Sequence, residues 1–384
     1  MDFRFTEEQE AFRQTIRSFI KRETSRELDR RLEEEGRFPF ELVEKMAQTG
    51  LLGLPFPEEY GGVGGTVMDF IIAAEELAYG SEAASAIFLG PVFFAGETIY
   101  INGSEEQKRK YLPLIAQGKL RGAFALTEPD AGSDASSITT SAVRDGDSYV
   151  INGHKTMISG ADIADIIMTC TKTDKECSRY EGITIFMVPR TAEGLTIRKM
   201  NKLGNNIIST CELFYDNVRV PAENILGGPE ALNKGWLQMI NNLDIERIMI
   251  AALYTAIAQR AYDDALAYAK ERKQFGRPIS HYQMIQQMLA DMLIEIRASR
   301  LLTYHAAWLK EQGEFCSLEC SIAKIHATEA ARKITIDGMQ VLGGYGYMME
   351  YDMQRYVRNA LLGTIGGGTN QIQRLIIAKL EGMM

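Results

Sequence analysis

Ile183-Thr184-Ile185-Phe186-Met187-Val188 is a short run dominated by β-branched and aromatic residues, the composition of a buried strand. Three similar runs lie around it: Ser148-Tyr149-Val150-Ile151, Ile166-Ile167-Met168-Thr169 and Cys211-Glu212-Leu213-Phe214-Tyr215. Asp145-Gly146-Asp147 and Asn152-Gly153 supply turn signals between them. No long helical pattern intervenes. The segment 120–230 is therefore expected to form an antiparallel β-barrel or sandwich and not a Rossmann sheet.

On either side the periodicity changes. Upstream, Phe12, Ile16, Phe19 and Ile20 recur at three- and four-residue spacing, as do Leu42, Val43 and Met46. Gly61-Gly62-Val63-Gly64-Gly65 breaks the chain before an apolar helical stretch at 68–79, and 108–117 leads out of the block. Downstream of Pro229, the stretch 232–272 carries no internal breaker except Gly235 and reads as one very long helix. Further helices are expected at about 281–312, 316–345 and 370–381. The predicted organisation is a multidomain α and β chain. It has an N-terminal α-helical domain at 1–119, a middle β domain at 120–230, and a C-terminal four-helix-type bundle at 231–384 that also offers an oligomer interface.

Composition narrows the function. The chain has 384 residues, 46% hydrophobic and 24% charged, which is ordinary globular composition. A net charge of −9 gives no overall attraction to phosphate backbones, so nucleic acid is not expected as a partner. Lys270, Arg272, Lys273 and Arg277 form a local basic patch. Five scattered cysteines without C-x-x-C fit free thiols in a reducing compartment. Four distant histidines offer no ligand spacing, and no metal is expected. The opening Met1-Asp2-Phe3-Arg4, followed by Glu7, Glu8 and Glu10, resembles neither a signal nor a transit peptide. The longest apolar stretch, 248–258, is shorter than the ~18 residues of a membrane span. A soluble, cytoplasmic protein is expected.

Two loops carry candidate ligand chemistry. Phe124-Ala125-Leu126-Thr127-Glu128-Pro129-Asp130-Ala131-Gly132-Ser133-Asp134 reads as a strand running into a loop rich in hydroxyls and exposed N–H groups. Such a loop can donate to a heteroaromatic ring or phosphate, and in isolation it is equally an ordinary capped turn. Gly363-Thr364-Ile365-Gly366-Gly367-Gly368-Thr369-Asn370 precedes a helix whose N-terminal N–H groups could face an anion. By itself it too is only a capped junction. Neither a P-loop nor a strand-linked G-x-G-x-x-G occurs.

Taken together, four segments resemble the acyl-CoA dehydrogenase family in order and spacing. They are 124–134, Glu271-Arg272-Lys273-Gln274-Phe275-Gly276, Gln340-Val341-Leu342-Gly343-Gly344-Tyr345-Gly346, and Gly368-Thr369-Asn370-Gln371-Ile372. The resemblance spans essentially the whole chain and implies an FAD held across a subunit boundary. Phe124, Leu126, Thr127, Gly132, Ser133, Ile158, Ser159, Thr369 and Gln371 would surround the flavin. Arg272, Gln274, Phe275, Gln340, Gly343 and Gly344 of a neighbouring chain would hold the ADP portion, with Arg272 opposite the pyrophosphate. Met157 stands where the family usually has an aromatic residue, and Ser159 where threonine is common.

The implied reaction removes an α proton from an acyl thioester while the flavin takes the β hydride. In the commonest family pattern the base directly precedes the final Gly-Thr, but here Gly367 occupies that place. Leu243-Asp244-Ile245-Glu246-Arg247 resembles the isovaleryl-CoA dehydrogenase branch, which implies Glu246 as the catalytic base. Glu246 also has apolar same-face neighbours and no cation three or four residues away, which predicts a raised pKa. Asp244 and Arg247 are candidate substrate contacts beside the CoA arm, with Ser133; their bland reading is an ion pair along the helix. The expected partners are acyl-CoA, an electron-transfer flavoprotein as electron acceptor, and further copies of the chain in a homotetramer. Alternatives are an enoyl-CoA reductase of the crotonobetainyl-CoA type running the reverse reaction, an oxidase, and a non-catalytic flavoprotein.

Overall fold

The computed structural model describes residues 4–383 apart from Lys175 and Ser178, and leaves the side chains of 90–94 undescribed. Met1, Asp2 and Phe3 of the opening stretch lie outside the described residues. Helices α1 (Glu7–Glu23), α2 (Arg26–Glu35), α3 (Phe40–Gln48), α4 (Val67–Gly80), α5 (Glu82–Ile87), α6 (Thr98–Asn102) and α7 (Glu105–Ala116) come first. Thr6, Thr66 and Ser104 close capping boxes at the starts of α1, α4 and α7, which satisfies N–H groups that have no partner within the helix.

Seven strands follow: β1 (Gly122–Ala125), β2 (Ser141–Asp145), β3 (Ser148–Ser159), β4 (Ile166–Lys172), β5 (Ile183–Pro189), β6 (Leu195–Met200) and β7 (Thr210–Pro221). They pair in the order β1-β4-β2-β3-β7-β6, with β5 on β4. All four quoted strand runs fall on strands. In β4 and β5 the continuous apolarity follows from burial on both faces, whereas β3 and β7 alternate in burial. In β5, Ile183, Ile185 and Met187 enter the core shared with the helices, whereas Phe186 and Val188 enter a second core inside the curled sheet.

Two details differ from the sequence expectation. The sheet is mixed, because β1 runs parallel to β4; the long connection between them permits the parallel crossover that a hairpin cannot make. Asn152-Gly153 is not a turn between strands. It lies inside β3, at the first of two register shifts against β7. A Cβ at Gly153 would stand 2.4 Å from Thr140 Oγ1, so the glycine serves a close backbone approach at a bulge.

The chain then returns to helices: α8 (Gly235–Glu271), α9 (Gln283–Glu311), α10 (Ser317–Leu342), α11 (Met353–Gly363) and α12 (Asn370–Leu380). A small hairpin, β8 (Lys273–Gln274) and β9 (Arg277–Pro278), separates α8 from α9. The expected helix at 316–345 stops at Leu342, where Gly343 takes φ +60. α11 was not anticipated. Ion pairs clasp the N-terminal helices to the C-terminal ones: Arg300–Glu75 at 2.7 Å, Arg30–Asp352 at 2.7 Å and Arg355–Glu82 at 3.0 Å. No helix among the described residues is long and apolar enough to cross a membrane.

Candidate active site

α8 sets the position of Glu246. One turn earlier, Asn242 Nδ2 donates to Thr98 Oγ1 at 3.0 Å and Asn102 Nδ2 donates to Asn242 Oδ1 at 3.3 Å, fixing α8 against α6. From the other side the 363–369 loop packs down on α8. A Cβ at Gly363 would meet the Tyr254 ring at 2.7 Å, and one at Gly367 would lie 2.3 Å from Ile250 Cδ1 and 3.5 Å from Glu246 Oε1. Gly367 also sits at φ +63, where glycine is unstrained. The residue that replaces the commonest base is thus the one that leaves room above Glu246.

Burial pushes the Glu246 carboxyl above the usual range, while the charges of Arg247 and Lys324 pull it back in part. The rise agrees with the expectation from its apolar neighbours. The two cations come from i+1 and from α10, positions that a same-face reading of α8 does not reach.

Arg247 is buried and donates to Asp244 Oδ1 at 3.0 Å, and Ser317 Oγ donates to Asp244 Oδ2 at 2.9 Å. Arg247 Nε is buried and has no hydrogen-bond partner among the described residues, leaving a charged donor available to a ligand. Asp244, Cys316 and Cys320 bring ligand atoms within 4.8 Å of one another. The carboxylate is already committed to Arg247 and Ser317, and burial pushes both thiols toward their protonated form, which is not the metal-binding one.

Lys324 was not singled out in the sequence. It is fully buried, and its ammonium donates to Gly368 O and to Asn370 Oδ1, both at 2.9 Å. A lysine on the same helix face as Cys320, Ala327, Thr328 and Ala331 was the signal that could have found it.

On the sheet, Phe124, Leu126 and Thr127 leave β1, and Ile158 and Ser159 end β3. Thr127 O accepts from Thr156 N at 2.9 Å, which joins the two segments. Beneath them lies a second buried lysine that the sequence reading passed over. Lys155 Nζ donates to Leu126 O and to Glu128 Oε1, both at 2.8 Å. Glu128 also accepts from Thr139 N at 2.7 Å and Thr140 N at 2.9 Å. Burial alone would raise the Glu128 pKa, but Lys155 and these hydrogen bonds outweigh it and hold the group down at about 2. Gly132 and Ser133 are exposed, with nothing within 4 Å of a Cβ placed at Gly132. Ile158 has its side chain in the inner core, so only its backbone can face a ligand. Met157 stands out from the second bulge of β3 at φ +59 and is 59% exposed; a methionine in that region is strained. Thr369 caps α12 through Ile372 N at 3.2 Å, with exposed Gln371 in its first turn.

The second set lies at the other end of the long helices. Arg272, Gln274, Gly343 and Gly344 line a cleft of about 510 Å³ together with Tyr268, Tyr345 and other residues. Gln340 lies beside it in the last turn of α10, its backbone carbonyl accepting from Gly343 N. Nothing stands within 4 Å of a Cβ placed at Gly343 or Gly344, and the Arg272 guanidinium lies over the Tyr345 ring at 5.6 Å. A cleft with open glycine backbone, a free-edged guanidinium and aromatic walls fits the pyrophosphate and adenine of FAD. Phe275 is at the tip of the β8–β9 hairpin, at φ +49 and 95% exposed. Along α8, Arg272 is about 39 Å from Glu246 at the rise of an α-helix.

Three consecutive domain families account for nearly all of the chain: the acyl-CoA dehydrogenase N-terminal domain at residues 6–119, the middle domain at 123–218 and the C-terminal domain at 233–381. An acyl-CoA dehydrogenase of Bacillus subtilis (strain 168) is 42% identical over 375 residues, covering 97% of this chain and 98% of the relative. The CarC subunit of the caffeyl-CoA reductase-Etf complex of Acetobacterium woodii is 40% identical, covering 97% and 98%. The structure of butyryl-CoA dehydrogenase from Megasphaera elsdenii superposes with a TM-score of 0.94 at 36% identity, covering 99% of this chain and all of that one (100%). With the site geometry, these matches identify the chain as a member of the acyl-CoA dehydrogenase family of FAD-binding oxidoreductases.

Proposed function

We propose that the chain dehydrogenates an acyl-CoA thioester to the trans-2-enoyl-CoA, with Glu246 abstracting the α proton. The observation that carries this reading is a half-buried carboxylate, 3.5 Å from the place where a Gly367 Cβ would stand, whose pKa desolvation raises. A base must be ionised yet eager for a proton, and burial gives Glu246 that character. Bound FAD supplies the hydride acceptor for the β carbon. The proton lost from Cα and the hydride lost from Cβ together make the double bond. Asp244 and Arg247 orient the CoA arm, through the unpartnered Arg247 Nε and the Ser317-braced carboxylate, and Ser133 contributes from the flavin loop.

The Gly367 gap and the helix-borne base favour the isovaleryl-CoA dehydrogenase branch and short, branched acyl chains. The Acetobacterium relative is named as part of a reductase–Etf complex. That name supports an electron-transfer flavoprotein as redox partner, and it marks the reverse reduction as the second reading of the same site. The separation of the Arg272 cleft from Glu246 and the bare Phe275 support an FAD shared between two chains of a homotetramer.

The test is anaerobic addition of butyryl-CoA and isovaleryl-CoA to the purified protein. Bleaching of the flavin without added reductant is expected, faster with the branched thioester. A flavin that no acyl-CoA bleaches would overturn the dehydrogenase reading. Arg272→Ala should release FAD more readily while the fold persists, because a charged hydrogen bond to phosphate is worth roughly 1.5–3 kcal/mol. An FAD dissociation constant equal to that of the wild type would remove Arg272 from the cofactor site.

A further inference from the structure

We infer that Lys324 is a positioning residue for proton abstraction: its ammonium clamps the glycine loop that lies over Glu246. The inference rests on the reading of Glu246 as the base. Three of its observations are geometric. Lys324 is fully buried on α10, in a seam where an ammonium is costly unless it is paired. Two of its three donors are spent where the glycine loop meets α12, on Gly368 O in the loop and Asn370 Oδ1 at the helix start. That loop carries Gly367, whose Cβ position is 3.5 Å from Glu246 Oε1.

The clamp is braced from behind. Asn370 Nδ2 donates to Thr328 Oγ1 at 3.1 Å and to Glu329 Oε1 at 3.3 Å, and Gln373 Nε2 donates to Gly367 O at 3.0 Å. A loop rich in glycine has no side chains with which to hold itself in place. Beyond its own backbone bonds, such as Asn370 N to Thr364 O, the side chains that tie it down from outside are Lys324 and Gln373. Thr369 and Gln371, the flavin-side candidates, flank Asn370, so one ammonium fixes both the lid over the base and the start of α12.

The electrostatics agree with the geometry. The charged groups facing Lys324 are Glu246 and Arg247 on α8 and Glu329 on α10, and Glu329 is also paired with Arg374 on α12 at 2.8 Å. Burial pushes the Lys324 pKa down to about 8, with Glu246 working against that fall. Glu246 in turn faces Arg247 and Lys324. As pH rises through about 8, Lys324 loses its proton, and both the clamp and the counter-charge weaken. Glu246 needs to be ionised, so activity falls at low pH. Two limbs follow, an acid limb belonging to Glu246 and an alkaline limb belonging to Lys324.

The experiment is the pH profile of flavin reduction by butyryl-CoA and isovaleryl-CoA in holoenzyme, measured anaerobically in stopped flow. Lys324→Met, Lys324→Gln and Lys324→Arg are compared with the wild type, with FAD content and melting temperature recorded for each. Lys324→Gln keeps a donor but loses the charge. Its acid limb is expected to move to higher pH, with a rate loss on the order of tenfold or more at pH 7, the scale of a neighbouring opposite charge on a carboxylate. Lys324→Arg keeps the charge without deprotonating, so its acid limb stays in place and the alkaline limb disappears. Lys324→Met should behave as the glutamine variant does, with a further loss from the loop; if it fails to fold, the other two decide. Unmoved limbs in both the glutamine and arginine variants would overturn the inference. Glu246→Gln in parallel separates the two readings. If that variant still reduces flavin, the base assignment falls. If it is inactive and the Lys324 limbs do not move, the lysine alone is at fault.

Discussion

Glu246→Gln is expected to retain FAD and fold but to reduce flavin with acyl-CoA at least about 10²-fold more slowly, since positioned general-base catalysis contributes about 10²–10⁴. The substitution is nearly isosteric, so the fold should persist, and any loss of stability should come from the buried Lys324 ammonium that then lacks the facing carboxylate. The residual rate should also lose its acid limb. In the wild type, burial raises the Glu246 pKa, so activity falls as pH drops through that raised value, and an amide has nothing to titrate. Gly367→Glu added to this variant should restore part of the rate, because position 367 looks onto the same volume as Glu246 Oε1. The recovery will be partial. φ is +63 there, and Ile250 Cδ1 must give way to the new Cβ. Anaerobic stopped-flow traces of flavin absorbance measure all three. Substrate reduction by Glu246→Gln at the wild-type rate would take Glu246 out of the mechanism.

What was legible in the sequence was whatever depends on neighbours in the chain. β5 could be read from Ile183 to Val188 because both faces are buried, which leaves an unbroken apolar run. α8 could be read because nothing in it stops a helix. Glu246 stood out because its own helix gives it no cation at the usual spacing. The failures came from partners far along the chain. Asn152-Gly153 has the composition of a turn, and only Thr140, pressed against it from another segment, makes it a bulge. Ile158 ends β3 with its side chain in the inner core, so that any flavin contact there runs through its backbone, and nothing local to the sequence gives that direction. Lys155 and Lys324 were not singled out because their acceptors, Leu126 O and Gly368 O, belong to loops 29 and 44 residues away. Each lysine stood among apolar or small residues, which in a strand or helix of alternating burial is the mark of a paired interior charge.

Lys155→Met is the other substitution with a large expected effect, and here the loss is of stability and cofactor together. Lys155 is 0% exposed and Glu128 4%, so removing the ammonium strands a carboxylate in the protein interior. Breaking a buried pair from one side costs about 3–5 kcal/mol. The same ammonium holds Leu126 O, and Leu126 and Thr127 are the proposed flavin contacts, so FAD should dissociate more readily as well. The charge argument can be separated from the packing argument by pH. In the wild type, Glu128 is depressed to about 2, so its contribution to stability is present above the ordinary carboxylate pKa and is lost only as pH falls toward 2. In Lys155→Met the unpaired, buried Glu128 should instead prefer its proton, so acidification from neutral pH should narrow the gap between variant and wild type. Lys155→Met with Glu128→Gln removes the stranded charge and leaves an amide oxygen for one of Thr139 N and Thr140 N, which donate to separate carboxylate oxygens in the wild type. It should regain a substantial share of the melting temperature without regaining tight FAD binding, because Leu126 O still lacks its donor. A double variant no more stable than Lys155→Met would mean that methylene packing, and not the ion pair, is what Lys155 provides to the flavin loop.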